Sequence, residues 1–272
     1  MTHEEFKSCC ADAYSKDIVA MLLGDSYHPG GHTLTRRLAG RLALTPGRRV
    51  LDIASGRGTT ALLLADAYEV RADGVDYASA NTALAQGAAE AAGLADRAVF
   101  TTGDAEHLPY DDGVFDAVVC ECALCTFPDK PRAAAEFARV LKRGGRLGIT
   151  DVTADTGRLP PELRGLTARI ACIADARPLD AYAEILTAAG LRTQIIERHD
   201  QAMIRMIDQI QARLSLLRIT APDRLADAGV DLDAAPAVLD AARAAVTDGL
   251  LGYALLTAVK SPRQPGDLPP GT

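Results

Sequence analysis

From Val50 onward the chain alternates short β-branched runs with Ala/Leu-rich helical patterns, and no other feature restricts its fold as tightly. Strands separated by helix-length segments do not pair as hairpins; they lie parallel and are joined by crossover helices. The expected strands are 49–54, 71–76, 98–102, 117–121 and 146–152, with helices at 59–67, 79–92 and 131–140 between them. Gly93 and Gly144-Gly145 stand where helices should end, in the position that tolerates positive φ. Upstream, 4–23 and 33–42 read as helices broken at Ser26-Tyr27-His28-Pro29-Gly30-Gly31. Downstream, the pattern gives helices at 161–174 and 179–189, a strand at 191–198, a long helical stretch at 201–218, Ala/Asp-rich segments to 247 and a final strand at 252–260. The expected fold class is therefore α/β, a doubly wound and mostly parallel seven-stranded sheet.

The divisions that follow are an N-terminal helical lid (1–45), a Rossmann-like core (46–198), a helical insertion (199–250), the last core strand (251–260) and a Pro/Gly-rich tail (261–272) expected to be disordered. A length of 272 residues with 48% hydrophobic and 24% charged residues fits a folded globular chain. A net charge of -7 argues against a nucleic-acid partner. Apolar runs such as 18–23 and 61–65 are far below the ~20 residues that span a bilayer, and the start MTHEEFKSCC lacks the features of a signal peptide. A cytoplasmic location is the expectation, and there the six cysteines would be reduced.

The stretch Val50-Leu51-Asp52-Ile53-Ala54-Ser55-Gly56-Arg57-Gly58-Thr59-Thr60 follows a predicted strand and opens a helix. Glycines there let the backbone approach a ligand, and the helix start offers free N–H groups. Asp76 closes the second strand, placed to accept hydrogen bonds from ribose hydroxyls. Asp52, just before the turn, would repel a pyrophosphate but suits an ammonium group. Over roughly 48–152 the chain resembles the class I S-adenosylmethionine-dependent methyltransferases. The resemblance also rests on Gly103-Asp104-Ala105-Glu106-His107-Leu108-Pro109-Tyr110, on Phe115-Asp116-Ala117-Val118 and on Leu141-Lys142-Arg143-Gly144-Gly145. It implies S-adenosyl-L-methionine as cofactor, with Asp52, Ala54, Ser55, Gly56 and Gly58 around the methionine moiety. It further implies Asp76 and Tyr77 at the ribose and Asp104 with Ala105 at the adenine. Glu106, Cys120 and Glu121 are further cofactor contacts, and Tyr14 and the His28-Pro29-Gly30-Gly31 turn are lid contacts. Ser55 and Arg57 replace the commoner Cys and Thr of the glycine motif without removing a backbone amide.

Three of the cysteines lie at Cys120-Glu121-Cys122-Ala123-Leu124-Cys125, at the carboxyl end of the fourth strand, where a doubly wound sheet binds its ligand. Strand alternation points Cys120 and Cys122 the same way. Cys172 falls in a helix after the fifth strand, and Cys9 and Cys10 in the lid. The stretch 120–130 resembles the arsenite methyltransferases in particular, which implies trivalent arsenic held by Cys122 and Cys172, with Cys125 or Cys10 as further ligands. Cys122, Cys125 and Cys172 are accordingly the candidate catalytic residues, and a thiol reductant is an implied partner. A thiolate-bound arsenic presents its own lone pair and needs no general base, whereas an organic hydroxyl usually does. The alternative is a C-, O- or N-methyltransferase of a small organic metabolite, of the quinone or secondary-metabolism type, which predicts dependence on a histidine such as His32 or His199. A thiolate metal-binding protein with a vestigial cofactor fold is a third reading; Cys-x-Cys-x-x-Cys lacks the usual paired zinc spacing. The insertion shapes the pocket or forms a homodimer surface.

Overall fold

The computed structural model describes residues 4, 5, 7, 8, 11, 14, 16–24, 26–164, 173, 175–227 and 234–261. Seven strands form one sheet: β1 (Arg49–Ile53), β2 (Arg71–Asp76), β3 (Ala98–Thr102), β4 (Phe115–Glu121), β5 (Leu141–Ala154), β6 (Leu191–Arg198) and β7 (Leu251–Lys260), in the order β3-β2-β1-β4-β5-β7-β6. The pairs from β3 through β5 are parallel, and β7 runs antiparallel to both β5 and β6. The chain order reverses between β1 and β4, so the crevice beyond their carboxyl ends is the place for a ligand.

Helices α1 (Asp17–Leu23), α2 (Gly31–Leu42), α3 (Thr59–Ala67), α4 (Ser79–Ala91), α5 (Lys130–Val140), α6 (Leu179–Ala188), α7 (Asp200–Thr220), α8 (Pro222–Asp227) and α9 (Ala235–Thr247) are formed among the described residues. On one face of the sheet, Leu34 and Leu38 of α2, Leu64 of α3, Met203 and Ile207 of α7 and Val246 of α9 pack against Val50, Val119, Val152 and Tyr253. On the other, Phe137 of α5 with Tyr182 and Leu186 of α6 pack against Leu51, Ile53, Val118 and Ile149. Burial on both faces is why the central strands read as nearly unbroken apolar runs. None of the described helices is long and apolar enough to cross a membrane.

Several boundaries differ from expectation for local reasons. The stretch 4–23 is not one helix: Lys16 is extended at φ -70, ψ 138 and starts α1 afresh. β5 begins at Leu141, directly after α5, because Phe115 pairs with Leu141 across an irregularity in the β4 ladder. Gly144 (φ 71) therefore serves that irregular strand start rather than a helix end, whereas Gly93 (φ 68) does follow α4. Of the helix expected at 161–174, the described part is a single tight turn, Pro161–Leu163; residues 165–172, with Cys172, lie outside the described residues, as do Cys9, Cys10 and the tail from 262.

Helices α7 to α9, inserted between β6 and β7, carry the lid. Ile18 of α1 packs on Leu214 and Leu217 of α7 and Leu225 of α8. Arg213 of α7 donates to the carbonyls of Leu22 (3.1 Å) and Leu23 (2.6 Å), two of the acceptors that the end of α1 leaves unpaired.

Candidate active site

A cavity of about 420 Å³ opens at the carboxyl ends of β1, β2 and β4 and is closed on its outer side by residues of the N-terminal segment. The β1–α3 loop makes its floor. Ala54 (φ 54) and Gly56 (φ 53) both take left-handed backbone conformations there. A methyl group at Gly56 would meet no atom within 4 Å, so this side of the loop faces open space. Gly58 (φ 83) answers a different need: a Cβ there would sit 2.7 Å from Phe100 and 2.9 Å from Ala85. It is a packing glycine and does not line the cavity.

Two acids hold the loop. Asp52 accepts from the backbone N–H of Ala61 (3.0 Å) in the first turn of α3. Burial, then the nearby Glu121 charge, pushes its carboxyl well above the usual carboxylate range. Asp76 accepts from the N–H groups of Gly56 (2.8 Å) and Ala78 (2.9 Å) and from the Asn81 amide (3.1 Å). Burial raises its pKa as well, against those hydrogen bonds. Both line the cavity, with Tyr14, Ala54, Ser55, Gly56, Tyr77, Asp104, Ala105, Glu121 and Cys122.

A third carboxylate, Glu121, ends β4. Its Oε2 accepts from the hydroxyls of Thr35 (2.9 Å) and Thr60 (2.7 Å), and its Oε1 from Thr150 (3.1 Å), which in turn accepts from Tyr253 (3.0 Å). His28 Nε2 lies 3.5 Å from Oε2. At the opposite end, Lys7 of the N-terminal segment bridges Asp104 (2.8 Å) and Glu106 (2.5 Å). Burial would raise the Asp104 carboxyl, but the Lys7 hydrogen bond and the Glu106 N–H hold it below its ordinary value. Glu106 does not line the cavity; its other oxygen accepts from Asp129 N–H (2.8 Å) and fixes the entry to α5.

The cysteines separate. Cys120 is buried within the face covered by α5 and α6, and its thiol is pushed far up by burial and then by Asp151. The strand ends at Glu121 and Cys122 turns to φ 53, so alternation breaks and Cys122 packs toward the opposite face. Its N–H donates to Thr150 O (2.6 Å). Cys125 is buried on that same face, with its N–H donating to Asp151 (3.0 Å). Of these three, Cys122 alone reaches the cavity wall. Among the described residues no group of three or more His, Cys, Asp or Glu side chains could hold a metal ion.

The histidines named from sequence as possible bases also fall elsewhere. His32 is exposed and His199 sits 3.3 Å from Glu197, outside the cavity. His28, expected only as a lid contact, lines it. Sequence reasoning passed over Lys7, which reaches Asp104 and Glu106, and Thr35, Thr60, Thr150 and Tyr253, which gather around Glu121 only through tertiary packing; the one local signal was Thr35, a turn beyond the Pro29-Gly30-Gly31 bend.

The residues present fit a polar, cationic nucleoside. Ser26 Oγ, Ser55 Oγ and Asn81 Oδ1 are buried at the cavity wall with no hydrogen-bond partner among the described residues, so a polar ligand there would satisfy groups otherwise costly to bury. Four carboxylates, Asp52, Asp76, Asp104 and Glu121, line one space that also holds Lys7 and Arg57, a balance that favours positive charge in the ligand.

The comparisons agree. A family model described as a methyltransferase domain matches residues 51–149. The 27-O-demethylrifamycin SV methyltransferase of Amycolatopsis mediterranei (strain S699) is 32% identical over 270 residues, which cover 92% of this chain and 94% of that protein. The chain belongs to the S-adenosylmethionine-dependent methyltransferases. The demethylmenaquinone methyltransferase of Thermus thermophilus is 42% identical over 118 residues, 43% of this methyltransferase and 53% of that one. In fold it resembles Haemonchus contortus phosphoethanolamine N-methyltransferase 2, solved with S-adenosyl-L-methionine, at a TM-score of 0.79 and 18% identity over 96% of this chain and 60% of that one. The methyltransferase uses S-adenosylmethionine as its cofactor, and nothing in these relatives points to arsenic.

Proposed function

We propose that this methyltransferase transfers a methyl group to a hydroxyl of a small organic molecule. The observation that carries the reading is the reach of the similarity to the rifamycin enzyme, which by its name acts at an oxygen. An alignment spanning 92% of the chain must run through α7 to α9 and the lid as well as the core. A shared fold does not set the acceptor, so a similarity that extends beyond the cofactor-binding core carries more weight than one confined to it. The similarity to the quinone enzyme extends over less than half of the chain. The cysteines favour this reading over arsenic as well, since Cys120 and Cys125 are packed away from the cavity that Cys122 lines.

In this reading Asp76 takes the ribose hydroxyls, Asp104 and the Ala105 N–H the adenine, and Asp52 with the loop 54–56 the methionine end. Tyr77, Ser55 and Asn81 supply the remaining polar contacts. Bound there, the cofactor supplies an activated methyl group on a positively charged sulfur. The chain's own contribution is proximity, alignment and the exclusion of water. Tyr14 and Tyr27, with ring centroids 6.2 Å apart, close the lid side, while Glu121 and Cys122 bound the inner end where the acceptor must arrive.

The test is an acceptor panel. Purified protein with S-adenosylmethionine is offered quinols, polycyclic phenols and macrocyclic alcohols, and separately arsenite with a thiol reductant. The expected result is one hydroxyl acceptor gaining a methyl group by mass spectrometry, at a rate that Cys122→Ser changes less than about fivefold. Methylated arsenic with no methylated organic product would overturn the reading and restore the thiophilic one.

A further inference from the structure

Glu121 bounds the inner end of the cavity with its side chain only 4% exposed. Three hydroxyls converge on it: Thr35 of α2 and Thr60 of α3 donate to Oε2 (2.9 and 2.7 Å), and Thr150 of β5 donates to Oε1 (3.1 Å). Three protons aimed at its oxygens are what a charged, acceptor-only carboxylate takes. That charge reaches across the cavity. Burial first and Glu121 second push the carboxyl of Asp52 up, and Asp52, 3% exposed, lies on the same lining. Two buried carboxylates that repel across one space leave a place where both stabilise positive charge. Lys7 and Arg57, which also line the cavity, are engaged by Asp104 with Glu106 and by Asp17. S-Adenosylmethionine carries two cationic groups, an ammonium and a sulfonium, and the ammonium falls to Asp52 in the placement above. Methyl transfer breaks the carbon–sulfur bond, leaves its electron pair on sulfur and carries positive charge away to the acceptor. The cofactor therefore enters with one more positive charge than its product, S-adenosylhomocysteine, keeps.

We propose that Glu121 is a specificity-determining residue for the cofactor: its charge makes the site prefer the sulfonium to the neutral thioether, and so favours exchange of spent cofactor for fresh. Thr35, Thr60 and Thr150 are positioning residues that hold the carboxylate toward the cavity, and Tyr253 braces Thr150 from behind (3.0 Å). This rests on the placement of the methionine end proposed above and is independent of the acceptor atom. In that placement Asp76 meets the ribose, Asp104 the adenine and Asp52 the ammonium. Those parts are common to cofactor and product, so the three aspartates add affinity to both alike. The sulfur is where the two ligands differ, and Glu121 is the carboxylate left to read it.

The test is calorimetry on the full chain, without acceptor, using three ligands: S-adenosylmethionine, S-adenosylhomocysteine and sinefungin, which carries an amine cation in place of the sulfonium. A protonated His28, with Nε2 3.5 Å from Glu121, would offset the charge, so the titrations are run at about pH 7.5, above the ordinary imidazole range. Wild type should bind the two cationic ligands roughly tenfold or more tightly than S-adenosylhomocysteine, a margin between the limits for one charge pair in water and in partly buried surroundings. In Glu121→Gln the Kd of S-adenosylhomocysteine should stay within about threefold of wild type while the three ligands converge to a similar margin. Glu121→Asp keeps the charge and should keep a clear preference for the cations. A wild type that binds S-adenosylhomocysteine as tightly as S-adenosylmethionine overturns the proposal, as does a preference that survives intact in Glu121→Gln. If Glu121→Gln binds no ligand, Thr60→Val decides: freeing the carboxylate to turn should lower the preference, and an unchanged preference overturns the role. Asp52→Asn tests the placement beneath. It should weaken all three ligands alike, and unchanged binding there would fail that placement whatever Glu121 does.

Discussion

Asp52 is buried beside two other carboxylates, and burial first, with Glu121 second, pushes its carboxyl well above the usual range. A group held that way binds protons more readily in the empty site than when a cation sits against it. Cofactor binding should therefore draw Asp52 toward its ionised form and release a proton. The sign is fixed: affinity for S-adenosylmethionine should rise with pH, and the proton count, from calorimetry in buffers of different ionisation enthalpy, should be positive. Asp52→Asn should flatten that dependence and weaken binding by roughly 10–100-fold at the alkaline end, the range of a lost charge-assisted hydrogen bond. A variant that binds as tightly as wild type, with the same pH slope, would remove Asp52 from the site. Cys122 shows the limit of reading residues in one dimension. Alternation grouped it with Cys120, but the strand stops one residue earlier and the backbone turns through φ 53, so the two thiols go to opposite faces.

At the scale of elements, the alternating pattern carried the sheet because parallel strands buried on both faces leave an unambiguous apolar signature. Six of the nine described helices match expectation closely. What was not legible depended on partners far along the chain. The break at Lys16 has no proline or glycine to announce it, and the early start of β5 is set by the pairing of Leu141 with Phe115. The Glu121 cluster joins α2, α3, β4, β5 and β7, and threonines give no periodic signal. Helix α2 is tied to β6 in a similar way: Glu197 accepts from Arg37 and from Arg41 (2.8 Å), with His199 at 3.3 Å. Arg37 first, then Arg41 and His199, hold its carboxyl at about 2, below the ordinary 4.5. The ionised group thus stabilises the fold above pH 4.5, and that contribution fades as pH falls from 4.5 through about 2. The arginines are largely in solvent, so Glu197→Gln should lower Tm at pH 7 by only roughly 2 °C, and the difference should shrink in thermal melts taken toward pH 3. A gap that widens on acidification would contradict the assignment.

For the molecule as a whole, the lid and the insertion form one assembly over the cofactor crevice. Lys7 reaches Asp104 and Glu106, Asp17 of α1 pairs with Arg57 of the glycine loop (2.8 Å), and Arg213 of α7 grips the end of α1. In the proposed reading the acceptor enters a space whose cofactor side is built by the core and whose outer side is built by the lid and insertion, and the similarity to the rifamycin enzyme covers 92% of the chain. That arrangement makes the identity of the acceptor atom the central claim. It is read most directly by running the reaction with cofactor carrying a ¹³C methyl group and recording the carbon spectrum of the product. The account predicts the label on oxygen, as a methoxy carbon coupled to the adjacent carbon-bound proton or ring carbon of the acceptor. A label found on arsenic, or on carbon or nitrogen of the acceptor with no methoxy signal, would contradict it.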